Sequence, residues 1–253
     1  MSIFFLSCST QEKKTSIIHK KSAEKPAVDI VNKSIATPTT QYPKEEERMD
    51  MVETQLIPRG IENKRVLSVM RSVPRHLFIP RPQRYLAYED QPVVIGLEQT
   101  ISQPYIVAYM TEALDLQPHH TILEIGTGSG YQAAVLADLA REVYTIEIIP
   151  PLSKRAQTVL NEIGYSNIHF RIGDGYAGWA EVAPFDAIIL TASPPAIPQP
   201  LLEQLKEGGV MIAPVGKNHQ ALVKITRTKS GYERKVVMGV RFVPMTGKAQ
   251  EEK

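Results

Sequence analysis

From residue 121 to residue 215 the sequence alternates short β-rich runs with helical stretches, and this rhythm constrains the fold more than any other feature. Strands that each lead into a helix pair in parallel, with helices packed on both faces of the sheet. The sequence therefore predicts an α/β fold with a doubly wound, mostly parallel sheet. The predicted strands are Thr121–Ile125, Val143–Glu147, Ile168–Ile172, Phe185–Leu190 and Val210–Val215, and the predicted helices between them end at Arg141, Asn161 and Lys206.

After Val215 the rhythm changes. Ala221–Thr228 and Lys235–Val243 have the pattern of two strands separated by Lys229-Ser230-Gly231, with no helix between them. Strands joined by so short a turn pair antiparallel. The sequence thus predicts an antiparallel hairpin at the C-terminal edge of a six- or seven-stranded sheet.

The first 50 residues differ in composition from the rest. They are rich in Lys, Ser, Thr, Gln and Glu without a sustained period, which predicts a disordered tail. The apolar run Ile3–Leu6 before Ser7-Cys8 has the form of a clipped lipoprotein signal, but it is shorter than the roughly 7 apolar residues of a secretory core. An over-extended N-terminus and a degenerate export signal both stay open.

Order is predicted from Met51 onward, because Ile61–Arg71 has apolar residues at helical spacing before Val73-Pro74 ends the helix. The predicted domain is 51–253. It divides into a helical, substrate-side extension (51–115) and an α/β core that binds a cofactor (116–253).

Composition excludes several classes of function. Lys and Arg total 29 against 27 Asp and Glu, a balance that does not favour nucleic acid. No run reaches the roughly 18 apolar residues of a transmembrane segment, and the six His show no metal-ligand spacing, so no metal is predicted. The single Cys8 fits a reducing compartment and predicts a cytoplasmic location. The alternative is export, or lipid anchoring through Cys8.

The strongest local motif is Leu-Glu-Ile-Gly-Thr-Gly-Ser-Gly-Tyr at residues 123–131, between a predicted strand and helix. Glycines there let a ligand approach backbone amides. A dinucleotide fingerprint needs glycine at position 131, where this chain has Tyr131. The preceding Glu124 would repel a pyrophosphate but suit a ligand with an ammonium and a sulfonium, which points to S-adenosylmethionine.

Two further acids follow the next strands. Glu147 is placed to accept the hydroxyls of a ribose, and Asp174 stands at the height of an adenine amino group. Each acid alone is better explained as a surface carboxylate or a helix cap. Three acids at successive strand ends, together with the glycine loop, favour a ligand site.

Several motifs together resemble the protein-L-isoaspartate O-methyltransferase family over about residues 51–246. They are Val73 to Pro80 (VPRHLFIP), Ala87 to Asp90 (AYED), Gln99 to Pro104 (QTISQP), Glu124 to Tyr131, Gly173 to Trp179 (GDGYAGW), Ala183 to Asp186 (APFD) and Pro214 to Gly216 (PVG). The resemblance implies a class I methyltransferase fold and methyl esterification of the carboxylate of isoaspartyl residues in damaged proteins and peptides. It also implies S-adenosylmethionine as cofactor, with S-adenosylhomocysteine as product. We further expect a monomer.

The resemblance also implies a set of site residues. Ser102 would be the active-site residue. The expected cofactor contacts are Gln99, Thr100, Ile101, Glu124, Gly126, Thr127, Gly128, Glu147, Ile148, Gly173, Asp174, Gly175 and Thr246. The family usually has glycine where this chain has Glu98; if φ is positive there, Glu98 adds strain of order 1 kcal/mol.

Without the family, Ser102-Gln103-Pro104 is equally well explained as a helix start with Ser102 as N-cap. Three other functions stay open. One is a same-fold methyltransferase that acts on a small molecule or nucleic acid, and another is a non-catalytic scaffold that binds an adenosyl ligand. The third is an NAD oxidoreductase, against which Tyr131 counts.

Overall fold

The computed structural model describes residues 44–251 and Met1. Residues 44–251 belong to one compact unit. The predicted disordered tail and the predictions about Cys8 lie outside the described residues. Within residues 44–251, no helix combines the length and the apolar character that crossing a membrane requires.

The described residues contain a two-stranded and a seven-stranded sheet. The strands are β1 (Val93–Gly96), β2 (Gln99–Ile101), β3 (Thr121–Ile125), β4 (Glu142–Glu147), β5 (Ile168–Ile172), β6 (Phe185–Leu190), β7 (Leu205–Val215), β8 (Gln220–Thr228) and β9 (Gly231–Val240). The large sheet has the order β5-β4-β3-β6-β7-β8-β9. Its strands pair in parallel from β5 to β7 and antiparallel from β7 to β9, which confirms the predicted fold class.

Helices connect the parallel strands and form the N-terminal extension. They are α1 (Glu45–Met51), α2 (Lys64–Ser72), α3 (Pro104–Ala113), α4 (Tyr131–Ala137), α5 (Pro150–Glu162) and α6 (Gln199–Glu203). One π turn (Val52–Leu56) and five 3₁₀ turns (Ile57–Arg59, Arg75–Phe78, Arg81–Leu86, Gly175–Ala177 and Gly247–Gln250) complete the described elements. The buried apolar residues form two clusters, and the larger one joins the N-terminal extension to the sheet.

Order begins earlier than the predicted boundary at Met51, because α1 starts at Glu45. Three glutamates fill its first turn, where a helix N-terminus favours negative charge. Its other end is buried, with Arg48 and Met51 both 0% exposed. The helix predicted at Ile61–Arg71 is α2, which begins only after Asn63 because the Asn63 side chain accepts hydrogen bonds from the backbone N–H groups of Arg65 and Val66 (3.0 and 3.3 Å).

Two boundaries near the C-terminus also differ from prediction. The helix predicted at Leu201–Lys206 ends at Glu203, because Leu205 pairs with Phe185 and starts β7. The strand predicted from Lys235 starts at Gly231, since Thr228 pairs with Gly231 across a two-residue turn. In both places strand pairing within the sheet overrides the local pattern.

Candidate active site

The glycine loop joins β3 to α4 in a backbone shape that only glycine adopts readily. Gly126, Gly128 and Gly130 have φ of 97°, 53° and 88°. A Cβ added to Gly126 would lie 2.3 Å from Oγ1 of Thr191, and one added to Gly130 would lie 3.0 Å from Cβ of Ala156. The loop is therefore packed tightly between the end of β6 and α5.

Glu147 closes β4 beside this loop and is 5% exposed. Its Oε2 accepts the backbone N–H of Gly128 at 2.7 Å, and its Oε1 accepts that of Ile149 at 2.9 Å. Each carboxylate oxygen still has capacity to accept a second hydrogen bond. Glu147 therefore braces the loop and remains able to receive ligand hydroxyls.

Glu124 does not reach the cleft that its neighbours line. The side chain is 0% exposed, and its Oε2 accepts the hydroxyl of Thr145 at 2.5 Å. The Thr145 hydroxyl in turn contacts that of Thr127, in the glycine loop, at 2.6 Å. Burial raises the pKa of Glu124 to about 8, which favours the protonated form of this carboxyl. Glu124 is linked to the glycine loop through two threonines, and the predicted direct contact with the cofactor stays a prediction.

Gly173 and Asp174 also lie outside the cleft. Asp174 Oδ1 accepts the backbone N–H of Tyr176 at 2.9 Å, and Oδ2 accepts that of Lys248 at 2.7 Å. Asp174 is thus the N-cap of a 3₁₀ turn and an anchor for the C-terminal segment. Of the residues 173–175, Gly175 alone lines the cleft. The adenine contact predicted for Asp174 stays a prediction.

The remaining predicted residues come together around one cleft at the carboxyl ends of β3, β4 and β6. They are Gln99, Thr100, Ile101, Ser102, Gly126, Thr127, Gly128, Glu147, Ile148, Gly175 and Thr246. One side of the cleft, here called the glycine-loop wall, consists of residues 126–129, Tyr131 and residues 146–149. A second set of lining residues, here called the serine wall, consists of residues 99–102 and 242–246.

Ser102 lines this cleft and also an adjoining one. Its backbone carbonyl accepts a hydrogen bond from Nη2 of Arg75 at 2.7 Å. Helix α3 begins at Pro104 with Gln103 as its N-cap residue, and no side chain caps it. The N-cap interpretation of Ser102 is therefore wrong.

The adjoining cleft opens between the serine wall, the start of β8 and the end of β9. The two clefts share six lining residues: Thr100, Ser102, Ile106, Thr191, Phe242 and Val243. The described side chains around the second cleft include the bases Arg59, His219 and Arg241 and no carboxylate. A tight, mostly apolar site is thus continuous with a wider, basic one at Ser102.

The family model for protein-L-isoaspartate(D-aspartate) O-methyltransferase matches residues 46–250. The chain belongs to this family. The enzyme of this name from Gloeobacter violaceus is 54% identical over 204 residues, 80% of this chain and 100% of that protein. The one from Opitutus terrae is 55% identical over 202 residues, 79% of this chain and 87% of that protein.

Solved structures agree with the family assignment. A protein-L-isoaspartate O-methyltransferase structure matches with a TM-score of 0.71 at 26% identity, over 81% of this chain and 67% of that one. A putative protein-L-isoaspartate O-methyltransferase from Plasmodium falciparum, in complex with S-adenosyl-L-homocysteine, matches with a TM-score of 0.70 at 25% identity, over 79% of this chain and 98% of that one.

One departure from the usual pattern of isoaspartate O-methyltransferases lies in the turn before Gln99. Leu97 and Glu98 join β1 to β2 with φ of 52° and 60°. Because φ is positive at Glu98, this residue carries the strain that glycine would avoid. The turn nevertheless keeps β1 paired with β2, since Gly96 pairs with Gln99.

Sequence reasoning missed several lining residues. They are Ile106, Val107, Met110, Ile125, Ser129, Tyr131, Gln132, Ile146, Ile149, Thr191, Ala192 and residues 242–245. Thr191 could have been found, because it directly follows β6 and ligands bind at strand carboxyl ends. Its hydroxyl donates to the carbonyl of Gly126 at 2.6 Å. The α3 residues carried only a helical signal, which does not distinguish a cleft from a core.

Among residues 44–251, no three His, Cys, Asp or Glu side chains are placed to hold a metal ion.

Proposed function

We propose that this chain transfers a methyl group from S-adenosylmethionine to the free carboxylate of L-isoaspartyl residues, which starts repair of damaged proteins and peptides through a succinimide. One observation carries the proposal. Ser102 stands where a tight cleft with a glycine loop and an acid meets a wider, basic cleft. A transferase for two substrates needs such a junction, because donor and acceptor must meet at one point.

The glycine-loop wall fits an adenosyl methyl donor. Glu147 offers carboxylate oxygens for ribose hydroxyls, and Gly126 and Gly128 have no Cβ atom to block approach to the loop backbone. Ile125, Ile146 and Ile148 supply apolar surface for the rest of the ligand. When bound, the donor supplies an electrophilic methyl group on a positively charged sulfur.

Methyl transfer to this carboxylate requires little proton transfer by the protein. The α-carboxyl of a peptide ordinarily has a pKa of about 3.3 to 3.7, so the acceptor is already ionised at neutral pH and needs no general base. The contribution of Ser102 is to orient that carboxylate. Aligning two reactants is worth roughly 7 to 11 kcal/mol of a barrier, so orientation alone gives a large acceleration.

Selectivity for isoaspartate over aspartate has to use backbone shape. The two residues differ in where one methylene lies, and a methylene is worth only about 1 to 3 kcal/mol in a pocket. We infer that an extended peptide lies in the adjoining cleft, along residues 238–243 and the start of β8. Arg241 gives this cleft a positive charge that suits an anionic acceptor, and Arg59, which also lines the cleft, pairs with Asp90.

A labelling assay tests the proposal. The chain is incubated with S-adenosylmethionine labelled in the methyl group and with two peptides that differ only in isoaspartyl or aspartyl linkage. We expect base-labile label on the isoaspartyl peptide alone. Binding of the donor without transfer would favour a non-catalytic scaffold, and label on neither peptide but on another acceptor would favour a different methyltransferase.

We also infer that the enzyme acts as a cytoplasmic monomer. Light scattering on the purified full chain tests the monomer, and mass spectrometry of the native N-terminus tests for an acyl group on Cys8. A dimer would contradict the inferred monomer, and a lipidated Cys8 would contradict the inferred cytoplasmic location.

A further inference from the structure

Behind Ser102 lies an arginine that the proposed mechanism does not use. Arg75 is 0% exposed. Its Nε donates to the carbonyl of Ala87 at 2.8 Å, and its Nη2 donates to the carbonyl of Ser102 at 2.7 Å. Its Nη1 is buried and has no hydrogen-bond partner among the described residues. Arg75 also takes part in none of the ion pairs between described residues.

Arg75 also contacts the glycine-loop wall. Its Cζ lies 4.8 Å from the ring centroid of Tyr131, the first residue of α4, which is itself 0% exposed. An aromatic face attracts a cation. One guanidinium therefore joins the Ser102 backbone in the serine wall to the Tyr131 ring in the glycine-loop wall.

A neutral side chain with N–H groups could bond to the carbonyls of Ala87 and Ser102, so these hydrogen bonds alone do not explain why the residue is a charged arginine. Burying a cation without a carboxylate partner is strongly unfavourable. Burial lowers the pKa of Arg75 to about 10, which leaves the group charged at neutral pH. Asp90, an acid that partly offsets this burial, is itself engaged by Arg59 and by Gln103. Arg75 therefore keeps its positive charge next to Ser102, the residue proposed to orient the acceptor.

We propose that Arg75 is a positioning residue for methyl transfer. It holds Ser102 at a fixed separation from the glycine loop, and its charge makes the serine wall favourable for an anionic acceptor. The inference rests on the proposed function, because it assigns Arg75 a part in the same reaction. Arg75 does not touch either substrate; it acts through Ser102 and Tyr131.

The test compares Arg75→Lys and Arg75→Gln with the wild-type chain. Lysine keeps the charge but cannot span both carbonyls, and glutamine loses the charge as well. We expect kcat for the isoaspartyl peptide to fall about tenfold in Arg75→Lys and about a hundredfold in Arg75→Gln. Calorimetric affinity for S-adenosylhomocysteine should stay within about twofold of wild type, because Arg75 does not line the cleft.

Arg65 offers a control that makes the same kind of hydrogen bonds from an exposed position. It also donates to two backbone carbonyls, those of Leu116 and Leu139, both at 2.7 Å, and it lines neither cleft. Arg65→Lys should lose stability without losing kcat. A purely structural role for Arg75 predicts the same result for Arg75→Lys, and that result would overturn the proposal.

A double-mutant cycle with Ser102→Ala separates the two roles further. If Arg75 acts through Ser102, adding Arg75→Lys to the Ser102→Ala variant should lower kcat by less than about twofold. An undiminished tenfold loss in that background, or failure of both Arg75 variants to fold, would make Arg75 a structural residue only. A wild-type chain that labels no isoaspartyl peptide would refute the proposed function itself, whereas an active wild type with fully active Arg75 variants refutes this inference alone.

Discussion

The glycine-loop wall is built from consecutive residues at the ends of two neighbouring parallel strands, whereas the serine wall joins segments about 140 residues apart. The first is held by local contacts: Gly126 packs against Thr191, and Glu147 accepts the backbone N–H of Gly128. The second has a strained turn at Leu97-Glu98 and is held from behind by Arg75.

The difference separates two ways of making a site. The glycine-loop wall offers backbone and one carboxylate, which suit a donor of constant structure. The serine wall carries the expected donor contacts Gln99, Thr100, Ile101 and Thr246, and its Ser102 also lines the wider, basic cleft, which suits acceptors that share only an isoaspartyl linkage. A wall that is built locally for the donor, and a wall that is built by tertiary contacts and faces both substrates, are the arrangement that the following predictions test.

The largest effect is expected at Gly126. In Gly126→Ala the new Cβ would lie 2.3 Å from Oγ1 of Thr191, so the residue after β6 must move. The φ of 97° at this position also costs a non-glycine residue about 1–2 kcal/mol of backbone strain. We expect donor affinity, measured by calorimetry, to fall about a hundredfold. Gly164→Ala is the control: φ is 92° and nothing lies within 4 Å, so stability should fall while affinity is unchanged. Equal effects of the two variants would show that strain alone is responsible.

Ser102→Ala probes the serine wall. Loss of one hydrogen bond to a charged group costs about 1.5–3 kcal/mol, so kcat for an isoaspartyl peptide should fall roughly ten- to a hundredfold. Donor affinity should be kept, because the glycine-loop wall is untouched. Ser230→Ala, in the turn between β8 and β9, is expected to leave kcat unchanged. An unaltered rate in Ser102→Ala would remove the hydroxyl from the mechanism.

Glu124→Gln tests the support beneath the glycine-loop wall. Burial raises the pKa of Glu124 from 4.5 to about 8, so the folded state binds more protons than the unfolded state between these values. Stability therefore falls as pH rises through that window, by up to about 1.4 kcal/mol for each pH unit. Denaturant unfolding from pH 5 to pH 8 should show a smaller decline in Glu124→Gln.

The control for this pH series is Glu162→Gln, an exposed position at the end of α5, which should decline with pH as the wild type does. If Glu124→Gln also declines as the wild type does, the carboxyl is ionised at neutral pH. In that case the glycine-loop wall would carry the negative charge that the sequence first suggested.

The smallest effect is expected at the turn of the serine wall. Glu98→Gly relieves a φ of 60° and should raise the free energy of unfolding by about 1 kcal/mol. Glu98→Ala keeps the Cβ and should leave it unchanged. Thermal melting of both variants checks the prediction, and equal melting temperatures would mean that the turn is not strained.

Three strands were predictable to the residue. Thr121–Ile125 and Phe185–Leu190 match the predicted bounds, because apolar, β-branched runs between turn residues favour a buried strand. Ile168–Ile172 also matches, although it is an edge strand in which only Ile168 is buried. Boundaries failed where pairing in the sheet decided them, as at Leu205 and Gly231. The local sequence pattern of a strand carries no information about the strand that pairs with it.

The candidate site divides in the same way. Most of the predicted residues meet in one cleft, because a glycine loop and strand-end residues are fixed by the chain near them. Glu124 and Asp174 did not, because the direction of a carboxylate depends on what surrounds it: Thr145 for the first, the C-terminal segment for the second. No spacing rule distinguishes an acid that faces a ligand from one that supports a loop.

The sequence by itself determined the alternation of strands and helices, the glycine loop and the family motif around Ser102, since each is written in neighbouring residues. Only the tertiary structure decided that Arg75 bonds to the carbonyl of Ser102 and that residues 242–246 line the same cleft as residues 99–102. The physical reason is that backbone propensity and short motifs act over a few residues. Burial, charge and hydrogen bonding across the cleft depend on which distant segments the folded sheet brings together.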